Sequence, residues 1–172
     1  MKIIAVILGS LLIVACATPP KEIPPQASKT VDKPPATVSN PAVITDLAEI
    51  EAKKLAAQIQ ELQKQSIYFH FDKFSIKPEY RDVIQKQAKF IKDHKNDLVT
   101  IEGNADERGS SEYNLALGDK RAKVAQKDLE LLGVSETQIK TVSLGEDKPR
   151  LTCHEEKCWK ENRRDDFVHT LN

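Results

Sequence analysis

Asp106 and Arg121 are the residues whose types and setting point most directly to chemistry. Arg121 lies in 111-SEYNLALGDKRAKVAQKDLELLG-133, a stretch that reads as an amphipathic helix. With Leu115 at zero and about 100° per residue, Asp119, Lys120, Lys123, Lys127 and Glu130 fill one arc, and Arg121 falls at roughly 240°, inside the apolar arc. A guanidinium does not lose its charge, so burying one requires carboxylates or carbonyls around it. Asp106, in the loop that leads from the preceding strand into this helix, is the acidic candidate upstream. Arg121 is about three turns into the helix, and its long stem reaches back towards the N-terminal end. Two readings follow. Asp106 and Arg121 form an internal salt bridge that closes the loop onto the helix. Alternatively the two charges stand apart and bind a zwitterion, the acid taking an ammonium and the planar fork of the arginine gripping a carboxylate. In the second reading, amides in the turns at Phe71-Asp72-Lys73-Phe74 and Gly103-Asn104-Ala105 add donors, and an α-amino acid suits the chemistry.

Other residue sets are weaker. Asp106 and Glu107 are adjacent in a loop and diverge, so they do not form a paired-carboxylate centre, and no Ser–His or Cys–His set is apparent. A hydrolase is the rival class. A binding protein without enzymatic activity, cofactor or metal is the expectation. Lysine plus arginine and aspartate plus glutamate number 26 each, for a formal net charge of zero. That balance argues against nucleic acid as a partner. His70, alone in a strand pattern, reads as a packed or surface histidine.

The elements that must position these residues occupy the second half of the 172-residue chain. Residues 1–15 read as a signal segment: Lys2, then the 13 residues Ile3 to Ala15, too short to span a bilayer. The run ends in Leu12-Ile13-Val14-Ala15-Cys16, which resembles a bacterial lipobox and implies lipidation of Cys16. Ala17 stands where an aspartate would mark inner-membrane retention, so a lipid-anchored protein of the outer membrane, facing the periplasm, is expected. Residues 16–46 form a linker with seven of the nine prolines. Residues 47–65 are a helical segment in which Ala48, Ala52, Leu55, Ile59 and Leu62 mark a short coiled-coil seam, serving a dimer or packing on the domain.

Residues 66–172 read as one α+β domain. SIYFHF alternates as a strand, Pro78 opens a helix, LVTIEGN and IKTVSLG are strands, Ser110 or Ser111 caps the Arg121 helix, and DDFVHTL supplies a final edge strand. The order βαβαβ(β) predicts a mixed sheet with helices packed on one face. With Cys16 assigned to lipid, Cys153 and Cys158 remain as a pair. In an oxidising compartment they form a small-loop disulfide. A zinc site built from Cys153, His154, Cys158 and His169 is the alternative.

Four motifs carry a family resemblance: IYFHFDKFSIKPE, IEGNADERGSSEYNLALGDKRA, VSLGEDKP and WKENRRDDFV. Residues 67–170 resemble the peptidoglycan-binding domain of the OmpA-like family, and the lipobox and linker stand where its lipoprotein members have them. The resemblance implies that Asp106 meets the amine and Arg121 the carboxylate at the free end of meso-diaminopimelate in peptidoglycan stem peptides. It also implies that Phe71, Asp72, Asn104, Tyr113, Asn114, Leu117, Asn162 and Arg164 border the pocket or hold its loops. Partners implied are peptidoglycan and the Tol system, TolB among its proteins; the alternative is an anchor for another envelope machine, such as a secretion system or motor. Asp165 and Asp166 depart from the family's apolar or small residues, so the last strand is expected to fray. Asp128 interrupts the apolar face of the Arg121 helix.

Overall fold

A computed structural model describes residues 41–172. The signal segment, Cys16 and the linker up to residue 40 lie outside the described residues. Helix α1 runs Pro41–Gln63, beginning before residue 47, and β1 is Ile67–Tyr68. A 3-10 turn at Pro78–Tyr80 leads into α2 (Arg81–Asp93), followed by β2 (Asp97–Asn104) and α3 (Ser111–Leu131). A second 3-10 turn at Glu136–Gln138 precedes β3 (Ile139–Gly145), α4 (Glu156–Asn162) and β4 (Arg164–Leu171). The four strands form one mixed sheet in the order β1-β4-β2-β3. β2 and β3 are parallel across the α3 crossover, and β4 is antiparallel to both β1 and β2. The α+β class and the mixed sheet expected from the sequence are present.

Three expectations need correction. SIYFHF forms only a two-residue strand, because its partner β4 begins at Arg164, opposite Tyr68; the chain then turns, with Lys73 N–H donating to the His70 carbonyl at 3.2 Å and Asp72 at φ 55°. DDFVHTL is not an edge strand, since it lies inside the sheet with partners on both sides. Nor does it fray: β4 is hydrogen-bonded over eight residues, and Asp165 is fully buried. A further helix, α4, occupies what reads in the sequence as loop.

Helix α3 owes its position to two glycines. Ser110 caps it by accepting from Tyr113 N–H at 3.2 Å, and Gly133, at φ 86°, ends it with its N–H on the Glu130 carbonyl at 2.9 Å. Between these ends the helix crosses β2 in backbone contact. A Cβ on Gly118 would stand 2.6 Å from the Gly103 carbonyl oxygen, and a Cβ on Gly103 would overlap the Gly118 carbonyl. That approach lowers the α3 residue one turn further on, Arg121, onto the C-terminal end of β2. Around it the core is aliphatic, with Ile67, Ile91, Val99, Ile101, Leu129 and Phe167 almost wholly excluded from solvent.

Of the α1 seam, Ala48 and Ala52 are exposed, Leu55 and Ile59 half-buried, and Leu62 buried. The C-terminal end of α1 is held to the domain: the Gln87 amide donates to the Leu62 carbonyl at 3.0 Å.

Candidate functional site

A hollow of about 250 Å³ opens where β2 ends and α3 begins. Its lining includes Phe71, Asp72, Asp106, Arg108, Gly109, Tyr113, Asn114, Leu117, Arg121 and Arg163. Both residues singled out in the sequence are therefore in one hollow, but they are not salt-bridged to each other.

Arg121 is fully buried and laced to the backbone. Its Nε donates to the Lys73 carbonyl at 2.9 Å, Nη1 to the Asn104 carbonyl at 2.6 Å, and Nη2 to the His70 carbonyl at 3.4 Å. The guanidinium lies 4.9 Å from the centre of the Phe69 ring. Burial pushes its pKa down to about 10, against the favourable fields of Asp165, Asp106 and Asp72, so it remains a cation at neutral pH. Among the described residues three of its five N–H groups are committed, which leaves one donor on each terminal nitrogen.

Asp106 is paired instead with Arg108 and Arg163. Arg108 donates from Nε at 3.0 Å, from Nη2 at 2.7 Å and from its backbone N–H at 3.1 Å. Arg163, itself buried, donates from Nη1 at 3.0 Å. Burial pushes the Asp106 carboxyl up, but hydrogen bonds from Arg108 and Arg163 outweigh this and hold it below its ordinary range. The internal-strut expectation was right that Asp106 is a salt-bridged carboxylate and wrong about its partner.

The other expected site residues divide. Phe71, Asp72, Tyr113, Asn114 and Leu117 line the hollow. Asp72 accepts the Tyr113 hydroxyl, and Asn114 donates to Glu146. Asn104, Arg164 and Asn162 do not line it. Asn104 contributes its carbonyl to Arg121 from behind, and its amide donates to the Glu102 carbonyl at 2.9 Å. Arg164 pairs with Asp166 at 2.8 Å on the far side of β4. Asn162 braces the preceding loop, its Oδ1 accepting from Arg150 and Leu151 N–H at 2.8 and 3.0 Å.

Arg108 and Arg163 were missed in the sequence. Arg163 was half visible, since it sits beside Arg164 and the wrong member of the pair was named. The kink at the end of α4 turns Arg163 inward, where it also donates to the Phe69 carbonyl at 3.1 Å. Arg108 is held between the Phe71 and Trp159 rings, 4.0 Å from each centroid. Trp159 is presented by α4, next to Cys158, which a disulfide ties to Cys153 with Cα atoms 5.7 Å apart. The zinc alternative fails on the same geometry: both cysteines are spent, His154 contacts exposed Glu107 at 2.7 Å, and His169 is buried between Asp97 and Gln87. His70 is exposed.

Comparison with known proteins places this geometry in context. The OmpA family profile matches residues 68–163. A peptidoglycan-associated lipoprotein from Pasteurella multocida is 42% identical over 108 residues, 62% of this chain and 72% of that protein. One from Pseudomonas putida is 46% identical over 99 residues, 58% of this chain and 59% of that protein. The crystal structure of the peptidoglycan-associated lipoprotein from Burkholderia pseudomallei superposes with a TM-score of 0.61 at 46% identity, covering 62% of this chain and 90% of that one. The C-terminal domain of Helicobacter pylori MotB shares the fold at 20% identity, with a TM-score of 0.59 and coverage of 63% and 85%. The family match extends over more than half of the chain and takes in β2, α3 and β3, the elements around the hollow, so this chain belongs to the OmpA family.

Proposed function

We propose that this chain is a peptidoglycan-binding lipoprotein of the bacterial envelope. In this reading the hollow receives the free end of meso-diaminopimelate in a stem peptide. The observation that carries it is a buried arginine with two uncommitted N–H groups in the same hollow as a buried, ionised Asp106. Arg121 takes the ligand carboxylate on its terminal nitrogens. Asp106 takes the ammonium, and since its oxygens are already filled, the ammonium displaces Arg108. Of the two arginines on Asp106, Arg108 is the one with room to leave: its side chain is 31% exposed against 5% for Arg163. Phe71, Asp72, Asn114 and Leu117 shape the cavity, while Asn104 and Arg164 support it from outside.

Lipid on Cys16 would hold the protein in the outer membrane, with the domain facing the periplasm and tethering that membrane to the cell wall. Tol-system proteins, TolB included, are the partners this reading implies. A hydrolase is disfavoured because Asp106 and Glu107 point apart and both carboxyls are held below their ordinary range, Glu107 by hydrogen bonds from Trp159 and His154. Neither is the raised-pKa acid that glycosidic cleavage requires.

The experiment is sedimentation with purified sacculi of two kinds, one carrying diaminopimelate and one carrying lysine at the third stem position. Lysine lacks the carboxylate that Arg121 would grip. Retention on the first and loss on the second is expected. Equal retention on both would remove the pocket from the explanation.

A further inference from the structure

A carboxyl group lies behind Arg121 and takes no part in the pairing described above. Asp165 is 0% exposed, and no described residue hydrogen-bonds either of its oxygens. The β4 register sets it opposite Ile67 on β1 and Gly103 on β2. Phe167, two residues on, belongs to the core, and side chains alternate along a strand, so Asp165 faces the helix-covered side as well. The residue after Gly103 on β2 is Asn104, whose carbonyl accepts Arg121 Nη1 at 2.6 Å. The carboxyl and the guanidinium therefore share one desolvated layer beneath α3.

Few charges face Asp165. Arg121 comes from α3 and Asp166 is its neighbour on β4, whereas β1 contributes apolar Ile67 and β2 contributes Gly103, which has no side chain. Burial pushes the Asp165 carboxyl well above the ordinary aspartate range, with Arg121 pulling it down and Asp166 pushing it up. Around Arg121 stand Asp165, Arg163, Asp106 and Asp72, and Asp165 is the charge that most favours its cationic form. A buried, unpaired polar group in a native fold calls for a reason.

We propose that Asp165 is an internal counter-ion for Arg121 that a ligand carboxylate supersedes, so that binding is accompanied by uptake of one proton from solvent onto Asp165. The proposal rests on the reading of Arg121 as the group that takes the carboxylate. Above its midpoint in the free protein, the ionised Asp165 shares the layer with the Arg121 cation. A ligand carboxylate brings a second anion to the same cation, and like charges in a desolvated site disfavour each other's ionisation. Protonating Asp165 restores the balance. The sign follows: the complex binds more protons than the free protein, so affinity is greatest in acid. It weakens as pH rises between the Asp165 midpoints of the free and bound states, by up to about tenfold per pH unit. Asp106, held below its ordinary range, stays ionised from pH 5 upwards and contributes no proton.

The test is calorimetric titration of the detergent-solubilised full chain with a diaminopimelate-containing tripeptide. Runs between pH 5 and 8 in buffers of different protonation enthalpy give the number of protons exchanged. The wild type should take up a proton over part of this range, up to one. Asp165→Asn should still bind, with no uptake and a flatter pH profile. Asp165→Ala serves as a second variant should the amide disturb the strand. A merely structural Asp165 would alter affinity without altering the proton count. Uptake undiminished in both variants, or wild-type binding with no uptake at any pH, overturns the proposal while leaving the pocket intact. A wild type that binds no tripeptide at any pH refutes the pocket itself, and this inference with it.

Discussion

Arg121→Lys keeps the charge and much of the stem, so it isolates what the guanidinium geometry does. The three carbonyls around Arg121 accept from three different nitrogens, Nε reaching Lys73 while Nη1 and Nη2 reach Asn104 and His70. An ammonium offers its donors from a single atom and cannot span them. It would keep about one of these bonds and leave two carbonyls short of a donor, at roughly 1–3 kcal/mol each. A net loss of about 3 kcal/mol is therefore expected, which lowers the melting temperature by about 10 °C for a domain of this size. Binding should suffer separately, because the carboxylate loses its two-pronged partner. A charged hydrogen bond is worth about 1.5–3 kcal/mol, so affinity for the stem peptide should drop by about one to two orders of magnitude. Thermal melts with and without peptide, read beside titration of the folded variant below its melting range, separate the two effects. An unchanged melting temperature would refute the backbone lacing. Wild-type affinity in the folded variant would refute the ligand role.

Gly118→Ala should destabilise the domain by about 1–3 kcal/mol, since its Cβ meets the Gly103 carbonyl at 2.6 Å and overpacked backbone cannot rotate away; chemical denaturation measures it. Asp165→Asn should raise the melting temperature at neutral pH. The folded-state pKa of Asp165 is raised, so its contribution to stability is present in acid and lost as pH rises, and the gain from asparagine should vanish below the ordinary value of 3.8. Asp106 carries the opposite sign: its lowered pKa supports the fold above that value, and the support is lost on acidification. Cys16→Ser should abolish lipid labelling and leave the protein out of the outer-membrane fraction; undiminished labelling would contradict the lipoprotein reading.

Arg121 shows how far the sequence could be read and where it stopped. Helical periodicity located a charge on the wrong face of α3, and the need to satisfy it was plain. The partners were invisible because they are main-chain carbonyls of Lys73, Asn104 and His70, which no residue type advertises. Asp106 stands out as an acid in the loop before α3, but its partners are Arg108, two residues on, and Arg163, which arrives from 57 positions away. β1 illustrates a different limit. Its alternation was clear, but its pairing stops at Tyr68, opposite Arg164 where β4 begins, and alternation does not record where the partner strand starts. The burial of β4 was obscured by Asp165 and Asp166, two acids that composition assigns to a surface. One is wholly buried, and the other reaches out to Arg150 and Arg164.

The place of β4 in the sheet also bears on when the domain can form. Its neighbours are β1, about 100 residues earlier, and β2, about 70 residues earlier, so both contacts close long loops. Until β4 is available, β1 has no partner at all and β2 presents an open edge. A chain that crosses a membrane with its N-terminus leading would therefore travel with at most the β2–β3 pair, and could not complete its sheet until residues 164–171 had emerged. In that interval the β2 edge and the part of the core that Phe167 closes are uncovered together, the condition under which a partly made domain aggregates. In such an exported chain folding is timed by the last stretch of the domain to be delivered, and substitutions in β4 would show themselves first as lost yield rather than as weakened binding.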